Sequence, residues 1–394
     1  MKVLHGILSI HNDQFLNQLS FISYFNLQTL DIKECHHISF NKLPKLDIKS
    51  LTVTNCKISN IHGIESFNKL QILNINNNQI NNIQPLAELV DLIELYADNN
   101  CICDIYPLKQ LKKLQSISLL NNKITDTYPL SEIPLSLLYL SNNQISDIST
   151  MIKLNVQELK ISRFDKEYNY ALNTIMMMGN IDDVNEGVNE ILANYEDVLI
   201  SDISPLRKMT NLTILELGGN NIRNIRALSD LKNLTDLHLL FNIIDDIYPL
   251  KSLTKLRSLD LSFNRITSIY PLQYLKTLDR LWLQNNYIID ISQIKTVGFL
   301  DASHNMIKYS SFYQLGEQIN APSCKLLLKT KIDIIYSQTE SKSNLNINQK
   351  RLKTNCCQTK QRTNSLLSQI TTFFIHFLQQ TAFLLERQND ETNQ

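Results

Sequence analysis

LRSLDLSFNRITSIYPLQYLKT, residues 256–277, sets Leu256, Leu259, Leu261, Asn264, Ile266, Ile269, Pro271, Leu272 and Leu275 at intervals that no single regular element explains. Leu259 and Leu261 are two apart, the period of a strand with one buried face. Ile266, Ile269, Leu272 and Leu275 are three apart, closer to a helical or 3-10 period. The stretch reads as a short strand, a turn and a coiled return. A unit this small cannot bury its own apolar face, so it needs neighbours of the same kind.

The neighbours are present. A shift of one unit gives LTDLHLLFNIIDDIYPLKSLTK before the stretch and LDRLWLQNNYIIDISQIKTVG after it. Alignment on the asparagine position runs through Asp13, Cys35, Cys56, Asn78, Asn100, Asn122, Asn143 and Phe164, then a degenerate Val198, then Asn220, Asn242, Asn264, Asn286 and Asn305. That spacing predicts about fourteen units of roughly 22 residues. Their strands would pair about 4.8 Å apart into a curved parallel sheet on the order of 65 Å long, with 3-10 or short helical returns on the convex side. At each turn the backbone leaves strand geometry and exposes polar groups inside the coil, which need partners. A column of asparagine amides supplies two donors and an acceptor per turn. Cysteine fills the slot with a weaker donor, whereas Phe164 and Val198 cannot hydrogen-bond there. The column is expected to break where the period breaks.

Around the repeats the chain divides into segments. Residues 1–164 read as a first solenoid half with an irregular N-terminal cap. Residues 165–197 are an acidic insertion in which Val184, Val188, Ile191, Leu192 and Tyr195 recur at helical spacing. Its DDVNEGVNE fails as a calcium loop, because Gly187 stands where an oxygen ligand is required. Residues 198–307 are a second, more regular half, and 308–362 a polar linker with a basic excess. Residues 363–387 predict an amphipathic helix, with Leu366, Ile370, Phe373, Phe377 and Leu384 on a seam suited to self-association. The uncharged stretch within it is long enough to span a bilayer but too rich in Gln, Thr and Ser for a membrane anchor to be the expectation.

Composition narrows the function. The chain has 394 residues, with 38 basic and 38 acidic side chains, so it lacks the basic excess of a nucleic-acid or membrane-surface binder. Seven cysteines without paired flanking caps point to a reducing compartment, cytoplasmic or nuclear. The N-terminal MKVLHGILSIHNDQF reads as a first repeat, not an export signal. No phosphate loop, nucleophile elbow or spaced metal-ligand set occurs, so neither a catalytic site nor a cofactor is expected.

Residues between the strand leucines face the concave side. The central ones are Asn74, Tyr96, Ser118, Tyr139, Lys160, Glu216, His238, Asp260, Trp282 and Asp301. Exposed aromatics beside charges are typical binding anchors, and the single tryptophan centres the expected patch. Phe241 and Phe263, just before the asparagine slot, either join that face or tuck into the turn. The expected partner-binding set is therefore Tyr96, Tyr139, Glu216, His238, Phe241, Asp260, Phe263, Trp282 and Asp301.

The pattern L-x-x-L-x-L-x-x-N-x-I-x-x-I-x-P-L-x-x-L, over about residues 48–307, resembles the short leucine-rich repeat class. That class includes the regulatory subunit of protein phosphatase 1 and the bacterial internalins, and ISDISPLRKMTNLTILELGGNNI is especially similar to an internalin repeat. The resemblance implies an α/β leucine-rich repeat solenoid. The leading functional expectation is a non-enzymatic scaffold for a partner protein. The alternatives are a phosphatase regulator, to which Glu216, Asp260, Trp282 and Asp301 are loosely similar, and a surface adhesin.

Overall fold

The computed structural model describes residues 2–4, 6–11, 26–36, 38–163, 199–294 and 297–308, and the backbone of 325–327. Among the described residues, fifteen short strands follow one another in sequence order across a single sheet. They are β1 (Lys2–Leu4), β2 (Ile7–His11), β3 (Thr29–Lys33), β4 (Ser50–Thr54) and β5 (Ile72–Asn74). Next come β6 (Glu94–Tyr96), β7 (Ser116–Ser118), β8 (Leu137–Tyr139), β9 (Glu158–Lys160) and β10 (Ile214–Glu216). The last five are β11 (Asp236–His238), β12 (Ser258–Asp260), β13 (Arg280–Trp282), β14 (Phe299–Asp301) and β15 (Lys325–Leu327). Only β1 runs antiparallel, against β2; every later pairing is parallel. The thirteen strands β2–β14 form an open curved sheet, backed by 3-10 returns. The helix expected at 363–387 and the helical insertion at 165–197 lie outside the described residues.

Most returns are built on one plan. In the opening unit, Leu259, Leu261, Ile266 and Ile269 are completely buried, stacked on their equivalents in the units to either side. Parallel register aligns Leu259 with Leu237 and Leu281, so apolar side chains form continuous columns. The return then tightens into a 3-10 turn at Tyr270–Tyr274, with Pro271 in its first positions, where proline's missing N–H costs nothing. In many units an aspartate or asparagine two residues earlier accepts the turn's first N–H: Asp246 Oδ1 takes the Tyr248 N–H at 2.8 Å, and Asp104 does the same for Tyr106 at 2.8 Å; at Tyr270 the Ser268 hydroxyl oxygen stands in its place at 3.4 Å.

The asparagine column holds the coil together. Asn264 donates through Nδ2 to the carbonyls of Leu239 (2.9 Å), Leu261 (3.1 Å) and Ser262 (3.1 Å). Its Oδ1 accepts the Ile244 N–H at 3.0 Å. One amide therefore satisfies backbone groups of its own turn and of the preceding one. The same reach to the turn before recurs at Asn78, Asn100, Asn122, Asn143, Asn220, Asn242, Asn286 and Asn305. Cys56 makes the weaker substitute bond to the Thr54 carbonyl at 3.1 Å, and its own N–H is taken by Asn78 Oδ1 at 3.0 Å.

The sequence count of fourteen units is corrected by strand pairing. Leu159 of β9 pairs directly with Leu215 of β10. These leucines are 56 residues apart instead of the usual 22, and β9 and β10 pair with no strand between them. Thirteen strands, β2–β14, thus stand where fourteen units were expected, and Ile200, Ile203, Pro205 and Leu206 follow as the return before β10. The asparagine bonding resumes across the join, with Asn220 donating to the Ile161 carbonyl at 3.0 Å and accepting from Ile200 N–H at 3.1 Å.

This geometry gives a stability expectation. Asn264→Ala strands buried carbonyls and an N–H, and urea unfolding should show a loss of about 2–4 kcal/mol. A change below about 0.5 kcal/mol would mean that the column is not what satisfies the turn.

Candidate binding face on the concave sheet

The sequence-predicted row exists. Parallel register sets Tyr96 beside Ser118, Ser118 beside Tyr139, Tyr139 beside Lys160 and Lys160 beside Glu216. It continues through His238, Asp260, Trp282 and Asp301. All nine are partly exposed except Ser118, which is buried. Tyr96 and Trp282 stand seven strands apart, about 34 Å at strand spacing, so the row holds two separate clusters.

The first cluster is already paired with itself. Tyr139 donates its hydroxyl to Glu158, and Tyr96 donates to Glu94 at 2.8 Å. Burial, then the bond to Glu158, hold the Tyr139 phenol well above its ordinary range. Lys160 Nζ meets Glu216 at 2.8 Å and stands 5.0 Å from the centre of the Tyr139 ring. Glu216 is thus occupied by Lys160, a partner that one-dimensional spacing did not assign to it.

The second cluster centres on Trp282. Its ring lies 5.2 Å from Phe299 and 6.5 Å from His238, both tilted contacts. Phe299 was not among the expected residues; its only signal is its place one pleat before Asp301 on the same face. Asp260 Oδ1 accepts from the Ser262 N–H at 2.9 Å and its hydroxyl at 2.5 Å. Asp301 repeats the device with Ser303, at 3.0 and 2.7 Å. Burial raises the Asp260 carboxyl above its ordinary value, against the pull of the Ser262 bonds and nearby His238, while Asp301 adds like-charge repulsion.

Phe241 and Phe263 are corrected out of the exposed set. They are only 6% and 5% exposed and stack on each other, with centroids 4.0 Å apart and planes 22° apart. Both have left-handed backbone, φ +53° and +54°, in the slot that Asn77, Asn99, Asn121, Asn142, Gly219 and Asn285 fill elsewhere. The turn imposes that conformation on whichever residue stands there, and the two rings stack against each other with little surface left exposed.

The sequence reading also passed over the other face. Tyr106, Tyr128, Tyr248 and Tyr270 precede the prolines of their 3-10 turns and are about half exposed. Lys109 Nζ sits 5.6 and 5.0 Å from the Tyr106 and Tyr128 ring centres. The repeated Tyr-Pro-Leu was the available signal. Among the described residues no His, Cys, Asp and Glu group can hold a metal ion, and no helix is long and apolar enough to cross a membrane.

The raised Asp260 carboxyl makes a pH prediction. A folded-state value above the unfolded one favours folding below the ordinary carboxylate range and loses that contribution as pH rises through the folded value. The stability of the parent relative to Asp260→Asn, from urea midpoints across acidic pH, should therefore be highest at low pH and fall as pH rises. A flat difference would refute the shift.

Comparison with known proteins agrees with this architecture. The family model for leucine-rich repeats in two copies matches residues 210–252 and 254–296. No curated protein matches the sequence. An internalin of Listeria monocytogenes, InlF, is 26% identical over 72% of this chain and 80% of its own, with a TM-score of 0.54. The functional domain of InlJ from the same organism, which includes a cysteine ladder, is 22% identical over 66% of this chain and 50% of its own, at 0.52. The plant peptide hormone receptor RGFR1, in complex with RGF2, is 16% identical over 81% of this chain and 61% of its own, at 0.50. With its thirteen-strand parallel sheet, its 3-10 returns and its asparagine column, the chain is a leucine-rich repeat protein.

Proposed function

We propose that this protein is a non-enzymatic scaffold whose partner protein docks on the concave sheet around His238, Asp260, Trp282 and Asp301. The observation that carries the reading is Trp282: a partly exposed indole, braced by Phe299 and His238, beside two carboxylates on the sheet. Affinity then comes from burying a pre-positioned aromatic with little ordering cost. The fold is one that carries a peptide hormone in the plant receptor RGFR1, which supports a binding role. The seven cysteines without paired flanking caps support a reducing setting, cytoplasmic or nuclear.

A second reading, a regulatory subunit of a protein phosphatase, is favoured by the mixed acidic and aromatic row. Co-purification of a phosphatase catalytic subunit, lost in Asp260→Ala/Trp282→Ala, separates it from a generic scaffold. The likeness to InlF favours an adhesin instead, which requires export of the intact chain; cell fractionation decides that point.

Affinity purification from the native cell, parent beside Trp282→Ala/His238→Ala with folding checked by circular dichroism, tests the main reading. The folded variant should lose its partner by tenfold or more, about 1.4 kcal/mol. Equal capture by both proteins would remove the concave face from consideration.

A further inference from the structure

We infer that the partner presents a cationic side chain, an arginine in the best fit, which stacks on the exposed part of Trp282 between the carboxylates of Asp260 and Asp301. This names the chemistry of the concave site and rests on the reading above.

Register carries the first part of the argument. Asp260, Trp282 and Asp301 are in-register neighbours on β12, β13 and β14. The indole therefore stands between two carboxylates that are two strand spacings apart, roughly 10 Å. His238 lies on β11, two strands from Trp282, yet the ring centres are 6.5 Å apart. The rings must lean toward each other across β12, above Asp260. Phe299 supports the indole from the other side at 5.2 Å. The aromatic surface is thus held in place before any ligand arrives.

Charge carries the second part. The cations on this stretch of sheet have partners: Lys160 pairs with Glu216 at 2.8 Å, and Arg280 reaches Asp236 at 3.6 Å. Among the described residues no lysine or arginine pairs with Asp260 or Asp301. Each carboxylate is instead anchored through one oxygen by a serine two residues on. That anchoring fixes the group without neutralising it. An indole face attracts cations, and two fixed carboxylates at its margins add to the same potential. A phosphate or acidic segment would meet like charge here, and a purely apolar ligand would desolvate both carboxylates without pairing them. Guanidinium fits better than ammonium, because it is planar, stacks on rings and can bond a carboxylate with two N–H groups.

The lone tryptophan makes the test direct, since its emission reports this site alone. The full chain is titrated with octa-arginine, octa-lysine and octa-glutamate at matched ionic strength. Octa-arginine should change Trp282 emission saturably, octa-lysine more weakly and octa-glutamate not at all. Asp260→Asn/Asp301→Asn should weaken octa-arginine at least tenfold. Asp104→Asn/Asp126→Asn, which removes equal charge from exposed 3-10 caps, should not.

Equal weakening by both double variants would reduce the effect to bulk charge and overturn the proposal. A response to octa-glutamate matching that to octa-arginine would overturn it too, leaving the concave face as a site of other chemistry. Silence from every peptide, with native partner capture still lost in Trp282→Ala/His238→Ala, would refute the cationic ligand alone. If that capture is retained, the concave reading itself falls.

Discussion

Every turn of this coil must satisfy backbone amides that have left the sheet and still point inward. That constraint governs the rest of the molecule. A carbonyl or N–H left unpaired in the interior costs roughly 1–3 kcal/mol, and a solenoid repeats the problem at each unit. The amides from Asn78 to Asn305 solve it by reaching from one turn to the turn before. Hydrophobic stacking supplies the bulk of the burial, but leucine columns alone do not specify where the chain must turn. The amide does, because its three donor contacts and one acceptor contact are met in only one register.

The same turn explains a local irregularity. The residue before the slot is held at positive φ, which asparagine and glycine tolerate well. At Phe241 and Phe263 the repeat geometry overrides that preference, and the two rings recover contact by stacking. Two neighbouring exceptions offset each other where one would leave a ring alone at the coil edge. The join between β9 and β10 follows similar logic. The two strands pair directly although 56 residues separate Leu159 from Leu215, so each keeps its partners and the sheet continues.

Function in such a fold resides in what the sheet presents. Because the backbone is fixed by neighbour-to-neighbour pairing, the concave positions are free to vary, and their chemistry differs along the row. Toward β8–β10, tyrosines, glutamates and Lys160 satisfy one another. Toward β11–β14, the aromatics brace one another, and among the described residues no lysine or arginine pairs with the two carboxylates. The contrast separates a part of the face that is complete in itself from the part where we propose that the partner docks.

Much of this was legible in the chain. The alternation at Leu259 and Leu261, the spacing of three from Ile266 onward and the recurring asparagine determine strand, turn, return and period. They also determine which side chains face the concave surface, because pleat alternation follows from covalent geometry alone. Other features depended on packing between units that are distant along the chain. Spacing around Val198 showed that the period failed, but only the pairing of Leu159 with Leu215 placed β9 directly beside β10. Which aromatics remain exposed was a matter of side-chain direction: Phe241 and Phe263, on the turn's left-handed backbone, are buried, whereas Trp282 on the pleat stays partly exposed. Periodicity assigns each residue a face; the contacts its side chain makes there are decided by neighbours on the strands that pair beside it.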